Sequence, residues 1–148
     1  SHDSRYSYRN LIAMNATKSK MLSLYLELDK HIEKFVQQII VRGFLKIGEG
    51  SYKSVYSKNK LGYVIKIADS LNDEFAELPS DLQNFYIKPY YIDNQIVIQE
   101  RANTKLSDQS HKKIHSILGD ERCINLDIYK QNCGMLRGEP VVFDFAQI

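Results

Sequence analysis

The stretch that decides the fold is "GFLKIGEGSYKSVYSKNKLGYVIKIAD", residues 43–69. Its β-branched and aromatic residues alternate with polar ones, and this period of two is typical of half-buried strands. Gly48, Gly50 and the turn-like "KNKLG" interrupt the alternation. The stretch therefore predicts three antiparallel strands, over about residues 43–48, 52–57 and 62–68.

The next two segments extend this sheet. "DSLNDEFAEL" (69–78) predicts a short helix that is closed by Pro79. "FYIKPYYIDNQIVIQERA" (85–102) predicts a second hairpin, with Asp93 and Asn94 at its turn. Five strands with a short helix before the fourth indicate an α+β sheet domain.

A long amphipathic helix is predicted before the sheet, from Lys18 to Ile40, with a length of roughly six turns. Asn15 or Thr17 could cap its start, and Gly43 lies just past its end. Steps of three and four residues put its apolar side chains on one stripe, which we expect to pack on a core. These side chains are Met21, Leu24, Tyr25, Leu28, Ile32, Phe35, Val36 and Ile39.

The last third of the chain predicts a helix and a closing hairpin. "KLSDQSHKKIHSILG" (105–119) is a helical pattern that ends at Gly119. His111 and His115 share one face of it, but no third ligand follows nearby, so we expect ordinary solvated or core histidines rather than a metal site. The turn "MLRGEP" (135–140) and the strand "VVFDF" (141–145) complete the order of elements.

Composition limits the possible functions. The chain has 148 residues, 43% of them hydrophobic and 26% charged, with a net charge of +2. These values are typical of one globular domain, and the dispersed charge gives no indication of nucleic-acid or membrane partners. Cys123 and Cys133 lack metal-ligand spacing, and no signal peptide or membrane-length apolar run is evident. We therefore expect a cytoplasmic protein with reduced thiols.

Polar residues in a definite order stand out from this background. A glycine turn lets backbone N–H groups approach an anion. It is followed by Lys66 in an apolar strand, by Asp127 and Asn132 five residues apart, and by Asp144 at a strand end. Each has an ordinary interpretation as a turn, cap or surface residue. Their order, however, meets the needs of phosphoryl transfer: a phosphate cover, a cation, a proton acceptor and two metal ligands.

The segments "IGEGSYKSVY", "VIKIA", "LDIYKQNCGML" and "VVFDFA" resemble the signature set of the protein kinases and kinase-like phosphotransferases. This match spans about residues 43–146. Gly48, Gly50 and Val55 match the Gly-rich loop, although Lys53 occupies the position of its third glycine. The resemblance implies that ATP and Mg²⁺ are the cofactors.

Site residues follow from this resemblance. Asp127 and Lys66 would be catalytic, and Asn132 and Asp144 would hold the metal. A glutamate should pair with Lys66; Glu74 and Glu77 are both available, and we favour Glu77. The hinge that meets adenine would be Glu100 to Ala102. The implied nucleotide-binding residues are Gly48, Glu49, Gly50, Ser51, Val55, Lys66, Glu77, Glu100 and Ala102.

The implied fold is protein-kinase-like: a five-stranded antiparallel N-lobe sheet at 43–102, a much reduced helical C-lobe at 103–148, and an extra helix within 1–42. Three departures accompany it. Asn125-Leu126 replace the His-Arg of the catalytic loop, and Ala146 replaces the glycine of the final Asp-Phe-Gly motif. Because the sequence stops soon after Asp144, we expect neither an activation loop nor a substrate-docking part.

The expected function is a minimal protein kinase that phosphorylates Ser or Thr, with Tyr as a further acceptor. It resembles small kinases of bacteriophages and bacterial effectors, which implies a host protein as substrate and the host cytoplasm as location. One alternative is a pseudokinase, a kinase-shaped module that binds a partner protein. Another is a small-molecule phosphotransferase, although the sequence offers no obvious helical substrate pocket.

Overall fold

The computed structural model describes residues 20–49, 53–59, 61–71 and 74–143. The fold is α+β, with one five-stranded antiparallel sheet and several helices. The described chain forms two compact units. The sheet unit comprises 20–71 and 90–99, and the helix–hairpin unit comprises 74–89 and 100–143.

The sheet has the strand order β1-β2-β3-β5-β4. Its strands are β1 Leu45–Glu49, β2 Lys53–Ser57, β3 Tyr63–Ala68, β4 Tyr91–Ile92 and β5 Ile96–Glu100. The three strands predicted from the alternating stretch are thus confirmed, as is the turn at Asp93 and Asn94. The side chain of Asp93 fixes this turn, because it accepts hydrogen bonds from the backbone N–H groups of Gln95 (2.8 Å) and Ile96 (2.9 Å).

The prediction of one continuous N-terminal helix is wrong. Helix α1 is described over 20–27, and a second helix, α2, spans Ile32–Val41. Between them Asp29 and Lys30 adopt left-handed backbone angles, with φ of 53° and 58°. His31 then caps α2 by accepting a hydrogen bond from the N–H of Lys34 (3.4 Å). Apolar spacing does not reveal the break, because both helices contribute to the same core.

That core belongs to the sheet unit and explains why the predicted stripe is apolar. Tyr25 and Phe35 are fully buried and meet edge to face, with ring centroids 5.1 Å apart. Burying each such side chain contributes about 1.5–3 kcal/mol. The buried members of the cluster are Met21, Tyr25, Phe35, Ile39, Phe44, Tyr56, Tyr63, Ile65, Ile96 and Ile98.

The helix–hairpin unit contains α3 Glu74–Glu77, α4 Ser80–Gln83, α5 Ser107–Leu118, α6 Asp120–Asn125, β6 Cys133–Leu136 and β7 Glu139–Val142. A helix is present within each of the predicted ranges 69–78 and 105–119, but α3 is only four residues long, residues 69–71 are not helical, and α5 begins at Ser107. Helices α4 and α6 were not predicted. Both are too short for an apolar period to develop. Arg137 and Gly138 form the predicted hairpin turn with φ of 49° and 80°, the positive angles of a type I′ turn.

Within the residues that the structure describes, no helix is long and apolar enough to cross a membrane.

Candidate functional site

The predicted phosphate cover lies at the junction of β1 and β2. Gly48 is paired with Val55 across these strands, next to an irregularity in the register between Lys46 and Gly48. A Cβ added at Gly48 would meet only the Val55 side chain, at 3.8 Å, so the backbone here is uncrowded. Glu49 is exposed at the end of β1. Gly50 and Ser51, the remaining predicted residues of this turn, lie outside the described residues.

Lys66 is buried within β3, with only 4% of its surface exposed. It lies directly opposite Val55 of β2, so the two side chains point to the same face of the sheet. A lysine is almost never this buried unless its ammonium group has a partner, and Lys66 does interact with other groups of the protein. The sheet unit thus brings Gly48, Val55 and Lys66 together on neighbouring strands.

The partner glutamate of Lys66 stays a prediction. Glu77 lies on α3 with an exposed side chain. Glu74 begins the same helix, and its side chain is outside the described part.

The predicted hinge is occupied by a buried ion pair. Glu100, 2% exposed, accepts two hydrogen bonds from the Arg137 guanidinium, one at 2.6 Å and one at 2.9 Å. This bidentate geometry is the strongest kind of carboxylate recognition. The side chain of Glu100 is therefore committed to Arg137, and the contact with adenine at Glu100 to Ala102 stays a prediction.

The segment after Glu100 is fixed against the hairpin. The backbone of Asn103 pairs with Met135 of β6 through bonds of 2.9 and 2.8 Å. Gly134 allows this approach, since a Cβ there would lie 2.8 Å from the Asn103 carbonyl oxygen. Ala102 packs on the buried cluster of Ile87, Leu136 and Val141. The chain just after Glu100 is thus held by packing at Ala102 and by backbone hydrogen bonds at Asn103.

Asp127 lies in a turn between α6 and the hairpin, with a positive φ of 52°. Its carboxylate accepts a hydrogen bond from the Tyr129 hydroxyl (2.9 Å), and this bond raises the pKa of Tyr129. Ile128, only 2% exposed, anchors the turn and donates its N–H to the Cys123 carbonyl (2.9 Å). Ile128 therefore fixes the backbone of the turn, while Asp127 itself is half-buried.

His115 supports the same turn from α5. Its Nε2 lies 3.4 Å from the Ile128 carbonyl oxygen, and its Nδ1 lies 3.0 Å from Asp120 Oδ1. The ring of His111 lies beside it, with centroids 4.1 Å apart. No set of three His, Cys, Asp or Glu side chains in the described part of the chain is placed to hold a metal.

Asn132 ends a short 3-10 turn, Lys130–Asn132, and leads into β6. Its N–H donates to the Tyr129 carbonyl, and its carbonyl accepts from the N–H of Phe143, both at 2.9 Å. Hairpin β6–β7 therefore brings Phe143 back to Asn132. Phe143 is the residue immediately before Asp144 in the sequence. Asp144, the second predicted metal ligand, lies outside the described residues.

Both cysteines are buried free thiols in this unit. Burial raises the pKa of Cys133 to about 11, and its Sγ donates to the Tyr129 carbonyl at 3.3 Å. A thiol that stays protonated is a poor nucleophile and metal ligand. Cys133 therefore serves to pack and fix the Asp127 turn.

The sequence does not reveal the ion pair of Arg137 or the burial of Lys53. Arg137 was assigned only to a turn, and its ion pair with Glu100 joins positions 37 residues apart. Lys53 was noted only as a departure from the glycine pattern, but it is 9% exposed on β2. Lys53 lies two residues before Val55 in "KSVYS", so both side chains lie on one face of β2. This spacing is the signal that could have indicated the burial of Lys53.

Searches against known protein families, curated proteins and solved structures find no match for this chain.

Proposed function

We propose that this protein is an ATP- and Mg²⁺-dependent protein kinase with a kinase-like fold. The observation that carries the proposal is the backbone hydrogen bond from Phe143 to Asn132 (2.9 Å). Two metal ligands that are twelve positions apart in sequence can act together only if the chain returns on itself. The β6–β7 hairpin provides such a return.

Asn132 and Asp144 would hold the Mg²⁺ ion through amide and carboxylate oxygens, the ligands that this ion prefers. The bound ion would neutralise charge on the phosphate oxygens during transfer. The chain's own contribution is the position of Asn132, which is fixed by hydrogen bonds to its N–H and its carbonyl.

Lys66 would bind the α- and β-phosphates. A buried ammonium group in a medium of low dielectric constant attracts phosphate oxygens more strongly than one in water. Asp127 would accept the proton of the attacking hydroxyl group, and its fixed turn orients the carboxylate before the substrate arrives. The proposed acceptors are Ser, Thr or Tyr of a protein, with a host protein and the host cytoplasm as the proposed setting.

The test is transfer of labelled phosphate from Mg-ATP to the protein itself and to generic protein substrates. Asp127→Asn is the appropriate variant, because asparagine tolerates the positive φ at this position better than alanine does. It should lower transfer by about 10²- to 10⁴-fold, the usual contribution of a general base. Lys66→Met should also lower it. Asp81→Asn, an exposed carboxylate on α4, is the matched control and should keep full transfer.

The outcome that contradicts the proposal is equal labelling by wild type, Asp127→Asn and Lys66→Met, provided that all three are folded.

A nucleotide-binding module without transferase activity is the second candidate. The observation that favours it is the Tyr129 hydroxyl on Asp127 (2.9 Å), which occupies the carboxylate that would act as base. Thermal unfolding with and without Mg-ATP separates the two functions. A rise in Tm with Mg-ATP, without phosphate transfer by either wild type or Tyr129→Phe, would indicate the binding module.

A further inference from the structure

A second buried lysine lies on the same face of the sheet as Lys66. In the β2–β3 register Val55 is opposite Lys66, and Lys53 is opposite Ala68. Directly paired residues share a face, and so do residues two apart along a strand. Lys53 and Lys66 are therefore diagonal neighbours on one face of the sheet, and Val55 and Ala68 lie beside them on the same face.

Both lysines are withdrawn from solvent: Lys53 is 9% exposed and Lys66 is 4% exposed. Lysine normally leaves its ammonium group in water even where its alkyl stem is buried. Two neighbouring positive charges on one face of the sheet attract a multivalent anion more strongly than a single charge does. Both side chains already interact with other groups of the protein, and an anion would share or replace these contacts.

The position of Lys53 fits an extended anion. It is the first residue of β2, directly after the predicted phosphate-binding turn, while Lys66 is two register positions further along the face. Two strand residues span about 7 Å. A diphosphate or triphosphate chain carries more negative charge than a monophosphate, so it gains more from a second neighbouring lysine.

We propose that Lys53 and Lys66 form a two-lysine site for the polyphosphate chain of the nucleotide. Lys53 occupies the position where the resembling family has a third glycine, and it replaces a contact from backbone N–H with one from a full positive charge. This inference rests on the proposed function, because it names a further residue that binds the same nucleotide. It makes Lys53 the group that distinguishes nucleoside polyphosphates from the monophosphate.

The experiment measures the Kd of ATP, ADP, AMP and inorganic tripolyphosphate by titration calorimetry. The proteins are wild type, Lys53→Gln, Lys53→Arg, Lys66→Gln and the control Lys58→Gln, in which an exposed lysine just after β2 is removed with the same change of charge. Thermal unfolding of each variant confirms that it is folded.

Lys53→Gln should weaken ATP and tripolyphosphate about tenfold or more, the usual effect of losing one charge-assisted contact. AMP affinity should stay close to that of wild type. Lys53→Arg should restore most of the loss, since the charge is kept. A further sign is a smaller dependence of ATP affinity on salt, because one fewer cation meets the anion.

Failure of the inference and failure of the proposed function give different results. If Lys53→Gln binds ATP as Lys58→Gln does while Lys66→Gln loses binding, the two-lysine site is wrong and the nucleotide function stands. If wild type binds neither ATP nor tripolyphosphate with Mg²⁺, both are wrong.

Discussion

Removing one side of the Glu100–Arg137 ion pair should cost this protein a large part of its stability. In Arg137→Met the carboxylate of Glu100 keeps its buried position, 2% exposed, and loses both guanidinium bonds. Breaking a buried pair in this way costs about 3–5 kcal/mol. Because 25% of the Arg137 side chain is exposed, solvent screens part of the interaction, and we expect about 3 kcal/mol. Domains of this kind have total stabilities of about 5–15 kcal/mol.

A matched control lies in the same unit. Arg122 pairs with Asp81 at 2.9 Å, but these side chains are 42% and 60% exposed. Exposed pairs contribute about 0–1 kcal/mol, so Arg122→Met should change the free energy of unfolding very little. The double variant Glu100→Met/Arg137→Met should recover most of the stability, because apolar side chains of similar volume replace buried pairs at little cost.

Urea unfolding followed by circular dichroism measures all four proteins, with the denaturant slope checked for equality. The reasoning is refuted if Arg137→Met unfolds at the same urea concentration as Arg122→Met. It is also refuted if the double variant is less stable than Arg137→Met alone.

Two further predictions concern other contacts. Gly134→Ala should destabilise the protein by about 1–3 kcal/mol, because the new Cβ would lie 2.8 Å from a backbone carbonyl oxygen. Gly48→Ala is the control in the same unfolding assay, since a Cβ there would meet nothing nearer than 3.8 Å. Equal losses of stability in the two variants would contradict the argument. Burial raises the pKa of Asp93, but hydrogen bonds from the N–H groups of Gln95 and Ile96 and from two tyrosine hydroxyls outweigh it and leave this pKa lowered. The resulting stabilisation is present above the unfolded-state pKa of about 4 and is lost as the pH falls through the lower folded value. Unfolding between pH 2.5 and 6 should therefore show a steeper acid loss for wild type than for Asp93→Asn, and identical slopes would count against it.

The sheet could be predicted because its signal is local. Alternation of side chains in 43–69 depends only on neighbours within each strand, and glycine and asparagine turns mark the ends. The break at Asp29 and Lys30 could not be predicted, because two helices that pack on one core keep a common apolar period across the break. Helices α4 and α6, of four and six residues, are shorter than the window that a period needs.

Candidate site residues could be proposed from the sequence only where they belong to short motifs. Lys66, Asp127 and Asn132 stand out because charged or amide groups interrupt apolar runs. Arg137 and Glu100 do not, since their relation depends on how the hairpin turn meets the end of β5, 37 positions earlier. Lys53 required the register of β2 against β3, which sequence alternation alone does not determine.

The division of the chain into units also bears on how the protein is made and dissected. The sheet unit takes 20–71 and then 90–99, and β5, an interior strand between β3 and β4, comes from the second piece. A nascent chain that ends at residue 71 therefore lacks the strand that pairs with β3, and the sheet is complete only after β5, Ile96–Glu100, has been synthesised. For the same reason no cut at a single point releases either unit whole. A protease nick within 72–89 would leave two fragments that must reassociate to fold, which makes complementation of split fragments a practical way to study this protein.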